Sequence, residues 1–457
     1  MSATVDPARV AALTAAETAA FVAAHPACAA EATTAREHLT YGVPMSWMAK
    51  WPGPFPPVVR EAAGAHFTCL DGVEHVDLCL GDTGAMCGHA PAATVAAVAR
   101  QAARGLTAML PTPDAAAVGA ELTARFGAGP SRVSRWQLTL TATDANRHVL
   151  RYARHLTGRT KVVVMDFCYH GTVDEAFATL DPAGRVVERR GSIGAPVPPS
   201  LTTLVVPFND VDALRAALDG GDVAAVLMEP ALTNIGIVLP EPGYLDAVRA
   251  LTRAAGAWWV VDETHTLCAG PGGCTAAWAL EPDVVVVGKT IGGGVPVAAF
   301  GLVPELASAI EHRVELEDID VGGVGGTLAG NALSTAAARA TLTEVLTPAA
   351  FAGMTARADR WADGVQAVLD DAGLPWHVTR LGARAEYAFA PVPPRHGAEA
   401  AAEDDFPLQQ LLHLHALNRG LLLTPFHNMA LMCPATTDAD VDRHTEAFAA
   451  AAGALTA

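Results

Sequence analysis

One lysine closes a run of four valines in "DVVVVGKTIGGGVPVAAF" (283–300) and is followed at once by a glycine turn. An amine at a desolvated strand end is harder to keep charged, and a neutral lysine amine attacks carbonyl carbon to form a Schiff base. Other reactive residues stand just past other apolar runs. Asp262 and Glu263 end "AWWVVDE" (257–263), and Glu229 follows "VAAVLM" (223–228). Tyr169 and His170 lie in "CYHG" (168–171), after "KVVVMDF" (161–167). "TATDAN" (141–146) leads into a helical stretch. There the backbone N–H groups of Ala142 and Thr143 offer an anion site at a helix N-terminus, or Thr141 or Thr143 simply caps the helix. An amine, an acid, an aromatic face and an anion cradle thus recur at successive strand ends.

The elements that must carry these residues follow from pattern. Continuous apolar runs at 161–167, 202–208, 223–230, 257–263 and 283–289 alternate with helical stretches such as "DANRHVLRYARHLTG" and "GYLDAVRALTRAAG". Buried parallel strands read this way, and the alternation implies βαβ crossovers. Ligands of such sheets bind at the carboxyl ends of the strands. The expected organisation has three parts. Residues 1–74 form an N-terminal helix, a Pro-rich connector at 51–59 and the hairpin "HFTCLDGVEHVDLCL". Residues 75–334 form the large sheet domain. Residues 335–457 form a small α+β domain together with the N-terminal segment. Hydrophobic residues make up 51% of the 457 and charged residues 17%, which describes a chain that buries a large core. The net charge of −18, with no Lys/Arg run beyond Arg189–Arg190, argues against nucleic acid and anionic membrane as partners. Eight scattered cysteines without a CxxC pair read as reduced thiols of a cytoplasmic protein, and no metal site is expected.

Pyridoxal 5′-phosphate needs a lysine, an acid on its ring nitrogen, a phosphate cradle and a flat face. Lys289, Asp262, the 141–144 turn, and Tyr169 or His170 match that set in kind and order. With these motifs on the page, the chain resembles the class III (ω-type) aminotransferases of fold type I. The likeness is to the branch of glutamate-1-semialdehyde aminomutase and β-phenylalanine aminotransferase, from about Pro56 onward. The resemblance implies a mostly parallel sheet in a large cofactor-binding domain. It makes Lys289 the Schiff-base lysine and Asp262 the partner of the pyridine nitrogen. It places Thr141, Ala142 and Thr143 in the phosphate turn and makes Tyr169 the stacking aromatic. In "MEPALTNIG" it gives Glu229 to the site and Asn234 to the cofactor's phenolic oxygen. In "GGTLAGN" it sends Thr327 to the phosphate of a neighbouring subunit, implying a homodimer with shared active sites.

The departures from that pattern carry information. Ala142 stands for a usual Gly and Asp144 for a usual Glu. Thr264 occupies the place of an aliphatic residue under the ring, and His265 follows it. The segment "YGVPMSWMAKWPGPFP" (41–56) has no arginine where β-amino acid and semialdehyde enzymes supply one; Ser46 and Trp47 lie there. His427 likewise replaces a late arginine. Bidentate carboxylate recognition needs a guanidinium, and Arg384 in "GARAEYAF" is the candidate substitute, against a plain surface-strand reading. Trp47, His265, Arg384 and His427 are the expected substrate residues. The expected activity is transfer of an amino group between an amine or amino acid and a keto acid or aldehyde. The alternatives are an aminomutase, or a lyase, racemase or epimerase on the same scaffold. A nucleotide-binding Rossmann protein is the reading from another class. It requires a GxGxxG turn after the first strand, which the sequence lacks, and gives Lys289 no role.

Overall fold

The computed structural model describes residues 5–313 and 322–456, which divide into two compact units. The larger comprises Ala92–Pro348 with Pro394–Ala402. Its centre is a sheet of seven strands: β1 (Arg135–Thr139), β2 (Lys161–Met165), β3 (Thr203–Val206), β4 (Val223–Met228), β5 (Trp258–Asp262), β6 (Val284–Val287) and β7 (Ala298–Leu302). They lie in the order β1-β7-β6-β5-β4-β2-β3. The run β6-β5-β4-β2-β3 is parallel, whereas β7 is antiparallel to both β6 and β1. This is the expected α/β sheet of mostly parallel strands. The reversal at β7 has a simple cause: only residues 288–297 separate it from β6, too few for a crossover.

Every residue of β4, β5 and β6 is buried, which is why their sequences are apolar throughout rather than alternating. Helix α1 (Ala142–Thr157) contributes Val149, Leu150 and Ala153 to the same core, and α2 (Tyr244–Ala255) contributes Leu245 and Val248. Register then sets the site. Asp262 pairs with Val286 across β5–β6, and Val261 pairs with Met228 across β5–β4. The residues just past these pairs, Glu229 and the Gly288–Lys289 turn, therefore emerge beside Asp262 on one sheet edge.

The smaller unit comprises Met1–Pro91, Ala349–Pro393 and Glu403–Ala457. Its hairpin forms as expected, with His66–Cys69 antiparallel to Glu74–Asp77 around an Asp71–Gly72 turn. A second sheet pairs Arg384–Ala388 with His377–Leu381 and with Met429–Leu431. The divisions fall at Pro91 and Pro348, later in the chain than the pattern suggested. Residues 335–348 stay with the large sheet because helix Ala332–Ala340 runs into a π-helical turn, Thr341–Val345. The Arg125 guanidinium binds the carbonyls of Leu342 (2.5 Å) and Leu346 (2.9 Å) at that turn. All eight cysteines are buried free thiols, and none of the described helices is long and apolar enough to cross a membrane.

Gly288 is where the fold leaves room for the lysine. A Cβ built there lies 3.0 Å from that of Ala298 and 3.1 Å from that of Ala142. Gly288→Val is expected to cost about 1–3 kcal/mol of stability through overpacking, with a smaller loss for Gly288→Ala. Denaturant unfolding of both variants checks this, and equal midpoints for all three proteins would refute it.

Candidate active site

The anion cradle opens at Thr141. Its extended backbone (φ −136°, ψ 155°) makes it the N-cap of α1, and its hydroxyl oxygen accepts the Asp144 N–H at 3.1 Å. The first-turn N–H groups of Ala142 and Thr143 then point out of the helix start, where the helix dipole favours an anion. Thr143 does a second job: its hydroxyl oxygen accepts the N–H of Thr172 at 3.1 Å and so ties the 168–172 turn to α1. Gly171 (φ +75°) makes that approach feasible, since a Cβ there would fall within 3.1 Å of Thr143 Cβ.

Asp262 ends β5 and is 3% exposed. Its Oδ2 accepts from Asn146 Nδ2 (2.8 Å) and faces His170 Nδ1 (3.0 Å), and its Oδ1 accepts the Thr264 N–H (3.0 Å). Burial works against the carboxylate's charge, but the bonds from His170, Thr264 and Asn146 outweigh it and hold its pKa at about 2. For His170, burial opposes the imidazolium, yet the interactions with Cys168 and Asp262 prevail and lift its pKa to about 10. His170 is thus the partner of Asp262. Tyr169 is left to present its ring, which lies at 13° to that of His265 with centroids 6.1 Å apart.

Lys289 opens a short 3₁₀ turn, Lys289–Gly292, with φ +51°. A left-handed lysine costs of order 1 kcal/mol and persists only where its surroundings fix it. Its Nζ lies 2.5 Å from His265 Nε2. His265 Nδ1 lies 3.0 Å from the Thr233 hydroxyl, which donates to Glu229 Oε2; Glu229 Oε1 also accepts the Tyr169 N–H at 3.4 Å. Asn234 is half-buried in the turn closed by the Leu232–Val238 bridge. Glu263 has a structural role: its buried carboxylate accepts from Thr266, Cys274 and both donors of Thr275.

The structure therefore gathers Lys289, Asp262, His170, Tyr169, Glu229, Thr264 and His265 with the α1 turn. Thr327 lies exposed in a loop of the same unit. Trp47, Arg384 and His427 belong to the smaller unit. Trp47 meets Phe426 edge-on (6.4 Å). Arg384 is fully buried, which rules out the surface-strand reading. Its Nη2 donates to Glu386 Oε2 (3.2 Å), and the other oxygen of Glu386 faces His427 Nδ1 at 3.5 Å. Glu386 therefore lies between two of the expected substrate residues, Arg384 and His427. Sequence reasoning passed over Asn146 and Thr233. The signal for Asn146 was an amide on the buried stripe of α1, between Ala145 and Val149.

These residues fit pyridoxal phosphate on more than residue type. Among the described residues, the buried Thr264 Oγ1 and Asn146 Oδ1, both beside Asp262, have no hydrogen-bond partner. A polar group bound there is the usual reason for such atoms.

The Asp262–His170 pair predicts a pH dependence of stability. His170, raised from 6.5 to about 10, stabilises the fold fully below pH 6.5, and that contribution is lost as pH climbs toward 10. Asp262, lowered from 3.8 to about 2, stabilises above pH 3.8 and loses its contribution as pH falls toward 2. Unfolding of the full chain across pH should show both limbs, and His170→Gln should flatten the alkaline one. An alkaline limb unchanged in His170→Gln would disprove the assignment.

Known proteins resemble this chain along most of its length. The family model described as "Aminotransferase class-III" matches residues 47–452. A glutamate-1-semialdehyde-aminomutase of Pseudomonas aeruginosa PAO1 is 48% identical, with a TM-score of 0.95 over 99% of each chain. A lysine-to-alanine variant of such an aminomutase from the same organism was crystallised in complex with PMP and superposes with a TM-score of 0.96. A β-phenylalanine aminotransferase of Variovorax paradoxus is 26% identical, with a TM-score of 0.84 over 96% of this chain and 97% of that one. The glutamate-1-semialdehyde 2,1-aminomutase of Desulfitobacterium hafniense (strain Y51) is 31% identical over 394 residues, covering 85% of this chain and 88% of that protein. A strand-end lysine beside a buried, bonded aspartate, on this sheet and across this length of match, shows that the chain belongs to the class III aminotransferase family.

Proposed function

We propose that the chain holds pyridoxal 5′-phosphate, the cofactor of its family, at Lys289 and moves an amino group between carbon atoms of small amino compounds. The observation that carries this reading is the Asp262 carboxylate, buried and fixed negative by three bonds on the strand next to Lys289. When bound, the cofactor supplies an electron sink for the pair left behind as a proton leaves the amine-bearing carbon. Asp262 keeps the ring nitrogen protonated. The N–H groups of Ala142 and Thr143, with Thr141 shaping the turn, bind the phosphate. Tyr169 and Thr264 flank the ring, Asn234 bonds its phenolic oxygen, and Glu229 lines the pocket. Lys289 Nζ takes the carbon-bound proton and returns it to a neighbouring carbon.

The reading includes a homodimer, in which exposed Thr327 reaches the phosphate of the second subunit, and a cytoplasmic setting, supported by eight free thiols. Trp47, His265, Arg384 and His427 remain the residues that the resemblance assigns to substrate. With Glu386 bonded to Arg384 and facing His427, neither side chain would meet a substrate carboxylate without competition. This favours substrates whose carboxylate is met by another group.

Transamination between two substrates is the first reading. An aminomutase that moves nitrogen within one substrate is the second, and the 48% identity to a glutamate-1-semialdehyde-aminomutase over 99% of both chains favours it. Purified protein should be yellow and should yield a borohydride-trapped cofactor adduct at Lys289, both lost in Lys289→Ala. A colourless protein that traps nothing with added cofactor would overturn the reading. An amine donor alone should convert the cofactor to its amine form if the enzyme transaminates. Rearrangement of glutamate 1-semialdehyde with neither donor nor acceptor marks the mutase.

A further inference from the structure

We infer that His265 and Thr233 form a proton relay between the Lys289 amine and the Glu229 carboxylate. The inference rests on the reading of Lys289 as the working amine of the site.

The donor sense of the bonds fixes the relay. A carboxylate only accepts, so the Thr233 hydroxyl donates its hydrogen to Glu229 Oε2. The lone pairs of that hydroxyl then face His265 Nδ1 at 3.0 Å, so Nδ1 carries the hydrogen. Nε2 is consequently bare, and it accepts from Lys289 Nζ at 2.5 Å. One imidazole tautomer satisfies these three bonds, and each of them points from the amine toward the carboxylate. A proton can therefore advance one place along each bond at once. Nζ gives a proton to Nε2, Nδ1 gives one to Thr233, and Thr233 gives one to Glu229. The lysine ends as a neutral amine and the glutamate as a neutral acid. His265 ends as the other neutral tautomer, and Thr233 is unchanged.

The surroundings suit this role. His265 is 5% exposed, and Thr233 and Glu229 are each 1% exposed, so bulk water does not compete. Among the described residues, the ionisable groups facing the imidazole include Lys289 from the turn after β6, Glu229 from the end of β4 and the Tyr169 phenol from the turn after β2; Asp262, on its own strand, is engaged by His170. A histidine that merely fills the core needs one partner. Here both ring nitrogens are engaged, one of them by the backbone-strained Lys289. An amine that must alternate between taking and giving a carbon-bound proton, away from water, needs somewhere to leave its own, and Glu229 is that place.

The sequence makes a direct test clean, because the chain has only three lysines: Lys50, Lys161 and Lys289. Lys161 pairs with Asp222 and Lys50 lies over the Phe426 ring, so both serve as internal references. The full chain, freed of cofactor, is treated with a limiting amine-acylating reagent across pH, and each lysine is followed by peptide mass spectrometry. Thr233→Val should slow acylation of Lys289 at neutral pH about tenfold relative to Lys161, the scale of one lost hydrogen bond, and move its profile to higher pH. Thr233→Ser should restore the rate to within about twofold. His265→Gln, which can accept from Nζ but cannot pass a proton on, should behave like Thr233→Val. If Thr233→Val does not fold, the His265→Gln profile decides. Unchanged Lys289 profiles in the folded variants, in a protein whose wild type traps pyridoxal phosphate at Lys289, would overturn the relay alone. Failure of the wild type to trap it would overturn the underlying reading instead.

Discussion

A carboxylate taken out of water must be bonded on its remaining faces or give up its charge. Asp262 meets that demand with donors from three directions: Asn146 from α1, His170 from the turn after β2, and the backbone just beyond its own strand. Each bond constrains an element as well as a proton. The Asn146 contact, with a second bond to the His170 carbonyl at 3.3 Å, sets how α1 sits against the 168–172 turn. The Thr143–Thr172 bond repeats the constraint one helical turn earlier. The anion cradle, the aromatic face and the acid are thus held by one network, and loosening it at Asp262 would displace all three.

The lysine is positioned differently, by covalent geometry. β6 and β7 lie side by side, and the chain between them must turn in a short span. Gly288 lets that turn pass close to Ala142, and the left-handed backbone of Lys289 sets the start of the side chain. An ion pair or hydrogen bond can rearrange when a ligand arrives; a strained residue between two paired strands has far less freedom. Fixed backbone and bonded side chain together give the preorganisation that proton transfer at carbon requires.

Much of this was legible in the sequence for one physical reason. Strands covered on both faces are written as unbroken apolar runs, so the residue ending each run lies on the sheet's functional edge. Lys289, Asp262, Glu229 and Tyr169 could be read that way. What escaped depends on side-chain direction. His170 and Tyr169 are neighbours of similar shape, and only the turn's backbone decides which reaches Asp262. Nothing in the sequence around Thr233 shows that its hydroxyl lies between an imidazole and a carboxylate. Arg384 stands out in the sequence as a candidate for a substrate carboxylate, yet its partner is in view: Glu386 lies two positions along the same strand and so on the same face. The unit boundary at Pro348 was hidden because the π-helical turn before it is stabilised by Arg125, more than two hundred residues earlier.

The antiparallel return of β7 has a consequence for how such a chain can diverge. The segment 288–297 is anchored at both ends to adjacent, fully buried strands. A residue added or lost there would turn one strand's side chains over or drag the lysine along the sheet. That stretch is in effect a measured length, closed to insertion and deletion. A change of length is absorbed more easily in a surface connection that carries none of the site's residues.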